Sequence, residues 1–203
     1  RIFMTYSGTM SNVSTLAHEL GHAFHSYALR PVHMLNRRYA MNVAETASTF
    51  AEMIVSDAAV QEATSREEKI ALLEDKIQRS VAFFMNIHAR FLFETRFYEE
   101  RKKGLVSSKR LNELMEEAQR EAYAGALRDT HPHFWASKMH FFITGVPFYN
   151  FPYTFGYLFS LSIYAKAKEE GAGFEEKYIA LLQDTAVMTV EDLAMKHLNE
   201  DIT

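Results

Sequence analysis

The stretch His18-Glu19-Leu20-Gly21-His22 places two imidazoles four residues apart, with a carboxylate beside the first. On an α-helix, residues i and i+4 stand one above the other, so both rings can aim a nitrogen at one ion. Zinc accepts histidine nitrogen at about 2.0–2.1 Å. Glu19 falls about 100° further round such a helix, where its carboxylate flanks the ion without binding it. A general base for a metal-bound water belongs there, because zinc lowers the pKa of that water to about 7. Catalytic zinc takes three protein ligands and keeps one place for water. With no cysteine in the chain, the third ligand must be His, Asp or Glu. Glu45 in VAETAST, 23 residues after His22, is the best candidate, since that gap allows one loop and a second helix against the first. Glu52 follows seven residues later, two turns along roughly the same face. It can accept the free N–H of a metal-bound imidazole.

The pattern fixes only three positions, so an ordinary core helix can carry it by chance. Three features argue for chemistry. Two histidines and a glutamate on an otherwise apolar helix are costly to bury unless paired or metal-bound. Leu20 and Gly21 suit a buried helix. A glycine inside a helix costs ~1 kcal/mol against alanine, so Gly21 calls for an offsetting gain, such as close approach of another segment.

The elements that would position these residues are mostly helices. RIFMTY, before the turn-like SGT, reads as one short strand. A first helix is predicted from Ser11 or Asn12 to about Tyr27, and a second after Asn42. A third starts at the capping box Ser65-Arg66-Glu67-Glu68 and meets no Gly or Pro before Gly104. Its Ile70, Leu73, Ile77, Phe84, Ile87, Phe91 and Tyr98 recur at helical spacing, which predicts one buried face. Such a helix would be roughly 55–60 Å long. A fourth is predicted from Ser107 or Ser108 to Gly125, a fifth from Pro152 to Gly171, a sixth over Phe174–Asp184 and a seventh capped by Thr189. Between the fourth and fifth lies a loop rich in aromatics and histidine. The fold class is therefore mainly α, with a short N-terminal strand or small sheet.

The chain has 203 residues, 48% apolar and 24% charged, with a net charge of −4. This is globular composition, with no basic excess for nucleic acid and no run near the ~20 apolar residues that span a bilayer. Neither nucleic acid nor membrane is an expected partner. The chain opens on Arg1 and stops at NEDIT, just after a helical pattern, so residues 1–203 are expected to be a fragment of a longer polypeptide.

HELGHAFHSY, VAETASTFAE and HFFITGVPFYNFPYTFGYLFS together resemble the zinc metallopeptidases of the oligoendopeptidase F and thimet oligopeptidase family, in order and over essentially the whole chain. The resemblance implies a zincin-like helical metallopeptidase catalytic domain, of which residues 1–203 would be part. Its N-terminal half and a short C-terminal piece would lie outside residues 1–203 and form the partner of this portion. It implies one Zn2+ held by His18, His22 and Glu45, with Glu19 as general base. It further implies short peptides as substrates, a cytoplasmic setting, and a sheet edge in RIFMTYSGT that holds the substrate backbone by strand addition. The metzincin pattern is absent, because His25 and His33 follow His22 at the wrong spacing.

Hydrolysis of a peptide bond develops an oxyanion, and the resemblance implies a His and one or two Tyr as its donors. His140 is the matching histidine. Tyr149, Tyr153 and Tyr157 are four apart, but Pro147 and Pro152 make the early part a loop, and Asn150 stands where some relatives have Tyr. Aromatics at this spacing also suit an ordinary core. His131 and His133 are expected to pack or cap, and His25 and His88 to be satisfied helix residues.

Two other readings stand beside the peptidase. One is a helical binding module with a structural metal or none, which would not need Glu19 and would want a fourth protein ligand. The other is a different zinc hydrolase of the same clan.

Overall fold

The computed structural model describes residues 1–203. Eight α-helices carry it: α1 (Met10–Ala28), α2 (Thr46–Glu62), α3 (Arg66–Val81), α4 (Ile87–Arg101), α5 (Ser108–Ala122), α6 (Phe151–Glu170), α7 (Phe174–Asp184) and α8 (Val190–Leu198). No strand is present. Arg1–Tyr6 has no regular structure, and Phe3 and Tyr6 are exposed. The N-terminal strand expected from RIFMTY is therefore corrected, and no strand underlies the edge role implied for that stretch. A β-rich composition makes a strand only where a second strand pairs with its backbone, and residues 1–203 contain none.

The α1 cap is Thr9, earlier than the expected Ser11 or Asn12. Its hydroxyl accepts from the Asn12 N–H, while the Asn12 side chain accepts from the backbone of Ser7 and Thr9. The predicted third helix is one helical run whose middle, Ala82–Asn86, widens to a π-helical turn between α3 and α4. Its expected buried face is only partly so. Ile87 is buried, but Ile70 and Ile77 are 53% and 65% exposed, and Leu73 and Phe84 are also exposed. Helical period identifies an apolar stripe; whether a neighbour covers it is a tertiary matter. In α4 Ala89, Phe93 and Glu94, outside the expected stripe, are buried beside Ile87.

The chain forms two compact units. Residues 1–73 and 155–203 make the first, and residues 74–154 the second. The core of the first unit joins α1, α2, α6, α7 and α8 through residues such as Ala47, Phe50, Ile163, Tyr178, Leu182 and Leu193. The second closes α4 and α5 around Phe93, Leu114, Met115 and Ala118, with Phe134, Trp135 and Phe141 laid over them. No helix is long and apolar enough to cross a membrane.

His25 lies wholly inside the first unit. Its ring stacks on Tyr39 at 4.2 Å, and Nε2 donates to Thr185 Oγ1 at 2.9 Å, since that hydroxyl spends its own proton on the Leu182 carbonyl. Burial lowers its pKa to about 4, the Leu182 backbone opposing and His22 assisting. The unfolded imidazole therefore binds protons more tightly than the folded one. This contribution to stability is complete above pH 6.5 and is lost as pH falls from 6.5 toward 4. Urea unfolding at pH 7.5 and 4.5, with chelator present, is expected to show the wild type losing about 2–3 kcal/mol more than His25→Gln.

Candidate metal centre

The first unit brings His18, His22 and Glu45 together, one ligand atom from each lying within 4.8 Å of the others. α1 supplies both histidines on one face. Glu45 sits on the turn just ahead of α2, as its N-cap residue, after a 3-10 turn at Met41–Val43. His18 Nε2 and His22 Nε2 are 3.2 Å apart, and they lie 3.2 and 3.4 Å from Glu45 Oε2. Three ligands at about 2.05 Å from a tetrahedral zinc stand about 3.3 Å from one another. The three atoms thus already have the separations of three corners of a zinc tetrahedron, and two imidazoles with a carboxylate are a donor set zinc takes. Burial alone would push the Glu45 carboxyl up, but hydrogen bonds with His18 and His22 outweigh it and hold the group well below the usual carboxylate range. It is therefore ionised, as a metal ligand must be.

Gly21 explains how the two helices come this close. A Cβ there would sit 2.6 Å from the Ser48 Cα and in contact with the Ala47 carbonyl. The bare glycine lets the α1 backbone rest directly on the first turn of α2. Leu20, beside it, is 52% exposed, so α1 is half-buried rather than enclosed. From the second turn of α2, Glu52 Oε1 meets His18 Nδ1 at 2.5 Å. This contact fixes the ring with Nε2 turned toward His22 and Glu45. Glu19 is partly buried on α1 and stands outside the donor triangle.

Several residues that hold Glu45 carry no sequence signature. Ser48 Oγ lies 2.9 Å from both Glu45 Oε2 and the Glu45 carbonyl. Thr49 Oγ1 lies 2.6 Å from that carbonyl and 2.6 Å from Ser160 Oγ on α6. Only the small-polar composition of TAST hinted that this turn would be lined with hydroxyls.

The second unit gathers His140, Tyr149 and Tyr153. His140 Nε2 is 3.2 Å from the Tyr153 hydroxyl, and its ring centroid is 5.4 Å from that of Tyr149. Burial lowers the His140 pKa, with Arg90 and Lys138 adding to the effect, so the ring is neutral at neutral pH. Before Phe151 their segment has no α-helix, only short 3-10 turns at Phe134–Ser137 and Met139–Phe142, the second carrying His140, and it is pinned at both ends by buried side chains. Gln119 exchanges two 3.0 Å hydrogen bonds with the His131 backbone, and Glu94 accepts from the Phe148 N–H at 2.7 Å. Phe148 takes a left-handed φ of 58°, a strained conformation for a bulky residue. Asn150 is fully buried and accepts from Arg90 Nη1 at 3.3 Å, which makes it a structural residue. Tyr157 lies one helical turn beyond Tyr153, in the part of α6 that belongs to the first unit. His133 meets Asn112 at 3.3 Å, and His131 packs near Phe134.

The model for peptidase family M3 matches residues 1–184. The chain belongs to this family. Among relatives, the chromosomal oligoendopeptidase F of Lactococcus lactis subsp. cremoris is 28% identical over 189 residues, covering 90% of this chain and 30% of the relative. The group B oligopeptidase PepB of Streptococcus agalactiae serotype III (strain NEM316) is 27% identical over 162 residues, covering 77% and 26%. The chain therefore spans about 30% of the length of oligoendopeptidase F. A crystal structure of a candidate peptidase from Chlamydophila abortus shares the fold, with a TM-score of 0.76 at 24% identity over 97% of this chain and 33% of that one.

Within this M3 chain, Gly21→Ala must force α1 away from α2. Overpacking of this kind costs typically 1–3 kcal/mol, and here the obstacle is backbone, which gives little. A fall of several degrees in the thermal midpoint is expected, read by circular dichroism at 222 nm.

Proposed function

We propose that the protein is a zinc-dependent endopeptidase that hydrolyses short oligopeptides. The single observation that carries this reading is the triangle of His18 Nε2, His22 Nε2 and Glu45 Oε2 at zinc-ligand separations, with a carboxylate, Glu19, next along the same helix. Membership of peptidase family M3 and similarity to oligoendopeptidase F support it.

One Zn2+ per chain would be held by His18, His22 and Glu45; when bound, it polarises a scissile carbonyl and acidifies water. Glu52 keeps the His18 ring oriented. Glu19 takes the proton from the attacking water and delivers it to the leaving amine. His140 and the hydroxyls of Tyr149, Tyr153 and Tyr157 supply hydrogen bonds to the developing oxyanion. The neutral state of His140 suits it to donate from a ring N–H, while its contact with Tyr153 ties two of these donors together. Substrates reach the site as short peptides. Residues 1–203 act as part of one catalytic domain, alongside the remainder of the same polypeptide, in the cytoplasm.

Elemental analysis of the complete, dialysed protein tests the ligand set. About one zinc per chain is expected in the wild type and in Glu19→Gln, and none in His22→Ala. Retained stoichiometric zinc in His22→Ala would sink it. Hydrolysis of a fluorogenic peptide is expected to fall at least 10²-fold in Glu19→Gln. Normal turnover in that variant would remove Glu19 as the base.

A further inference from the structure

We infer that α6 sets the metal affinity of this centre, through Gly156, Thr49 and Ser160 acting as positioning residues for Glu45. The inference rests on the reading of His18, His22 and Glu45 as zinc ligands, and it concerns residues that touch neither metal nor substrate.

The two histidines need little help from distant parts of the chain. They stand one turn apart on α1, and Glu52 orients the first. Glu45 is different, because it precedes α2 and has φ −92° and ψ 1°, outside the helix that follows. Its backbone must be held by other means. A Cβ on Gly156 would lie 2.7 Å from the Glu45 Cβ, 2.9 Å from its carbonyl carbon and 3.2 Å from its Cα. α6 therefore bears on Glu45 itself, backbone against backbone, at the one place where α6 has no side chain to interfere.

The same contact is bonded. The Thr49 hydroxyl reaches the Glu45 carbonyl at 2.6 Å and lies 3.1 Å from the Gly156 carbonyl. Ser160 Oγ lies 2.6 Å from Thr49 Oγ1 and 2.5 Å from the Gly156 carbonyl. Thr49, Ser160, Ser48 and Thr46 are all at most 1% exposed. Water cannot take over these bonds, so the geometry of α6 is passed to the Glu45 backbone. Because Oε2 must stand within a few tenths of an ångström of its place in the donor triangle, a shift of the Glu45 Cα moves the third ligand.

Zinc affinity of the folded protein is the readout that separates positioning from general stability. It is measured by competition with a chromophoric chelator, in the complete protein, well below the unfolding temperature of the metal-free form. Thr49→Val is expected to weaken zinc about 10–100-fold, the usual effect of removing a residue that supports a ligand. Thr49→Ser, which keeps the hydroxyl, is expected to bind within about threefold of wild type, and Gly156→Ala at least as weakly as Thr49→Val. Leu193→Ala, a core truncation in the same unit, is expected to lower thermal stability and leave zinc affinity unchanged. Should Gly156→Ala fail to fold, the Thr49 pair decides. Wild-type affinity in Thr49→Val, or an equal loss in Leu193→Ala, overturns the inference while the zinc reading stands. A wild-type protein that binds no zinc overturns the zinc reading, and the inference with it.

Discussion

The close contact of α1 with the first turn of α2 is the constraint on which the cluster of His18, His22 and Glu45 depends. At Gly21 there is no side chain to hold the two backbones apart, and the Ala47–Ser48 backbone fills the space. At that distance the histidine Nε2 atoms reach Glu45, and Glu52 reaches the far side of the His18 ring. A wider gap would leave two histidines and two carboxylates half-buried without mutual contact, at a cost of several kcal/mol. Close approach turns that liability into a set of ionised or hydrogen-bonded ligands. The penalty of glycine within a helix, ~1 kcal/mol, is small beside that.

Packing from the other side completes the arrangement. Gly156 does for α6 what Gly21 does for α1: Gly156 meets Glu45, and Gly21 meets Ala47 and Ser48 just after it. Around it the buried polar groups are hydroxyls rather than charges. Hydroxyls can donate and accept in a small volume, so Thr49 and Ser160 bond each other while Ser48 and Thr49 reach the Glu45 carbonyl, without a further ion. This keeps the charge around the Glu45 turn on the carboxylate that a metal would neutralise.

The aromatic segment of the second unit is held on a different plan. Its residues lie in loops and short 3-10 turns, so the backbone groups outside those turns need individual partners. Gln119 and Glu94 supply these at the two ends, and burial raises the pKa of the Glu94 carboxyl while the Phe148 N–H bonds to it. A strained φ at Phe148 persists because that bond and the ring contacts with Phe91 and Tyr98 hold it. His140 and Tyr149 thus occupy defined places on a segment that local propensity alone would leave variable.

What could be read from the sequence was local and periodic. The shared face of His18 and His22, the seven-residue step from Glu45 to Glu52 and the need for something close at Gly21 all follow from 3.6 residues per turn and the cost of glycine. The mainly α class follows from the same pattern. The N-terminal strand misled because strand formation requires a partner that composition cannot supply. The stripe on α3 misled because period marks an apolar face without saying what covers it. The contact of Gly156 with Glu45 joins residues more than a hundred positions apart, and no spacing rule links them. Side-chain type and helical period fix which groups can share a face; only the tertiary packing of α1, α2 and α6 brings Glu45 to within 3.4 Å of both histidines.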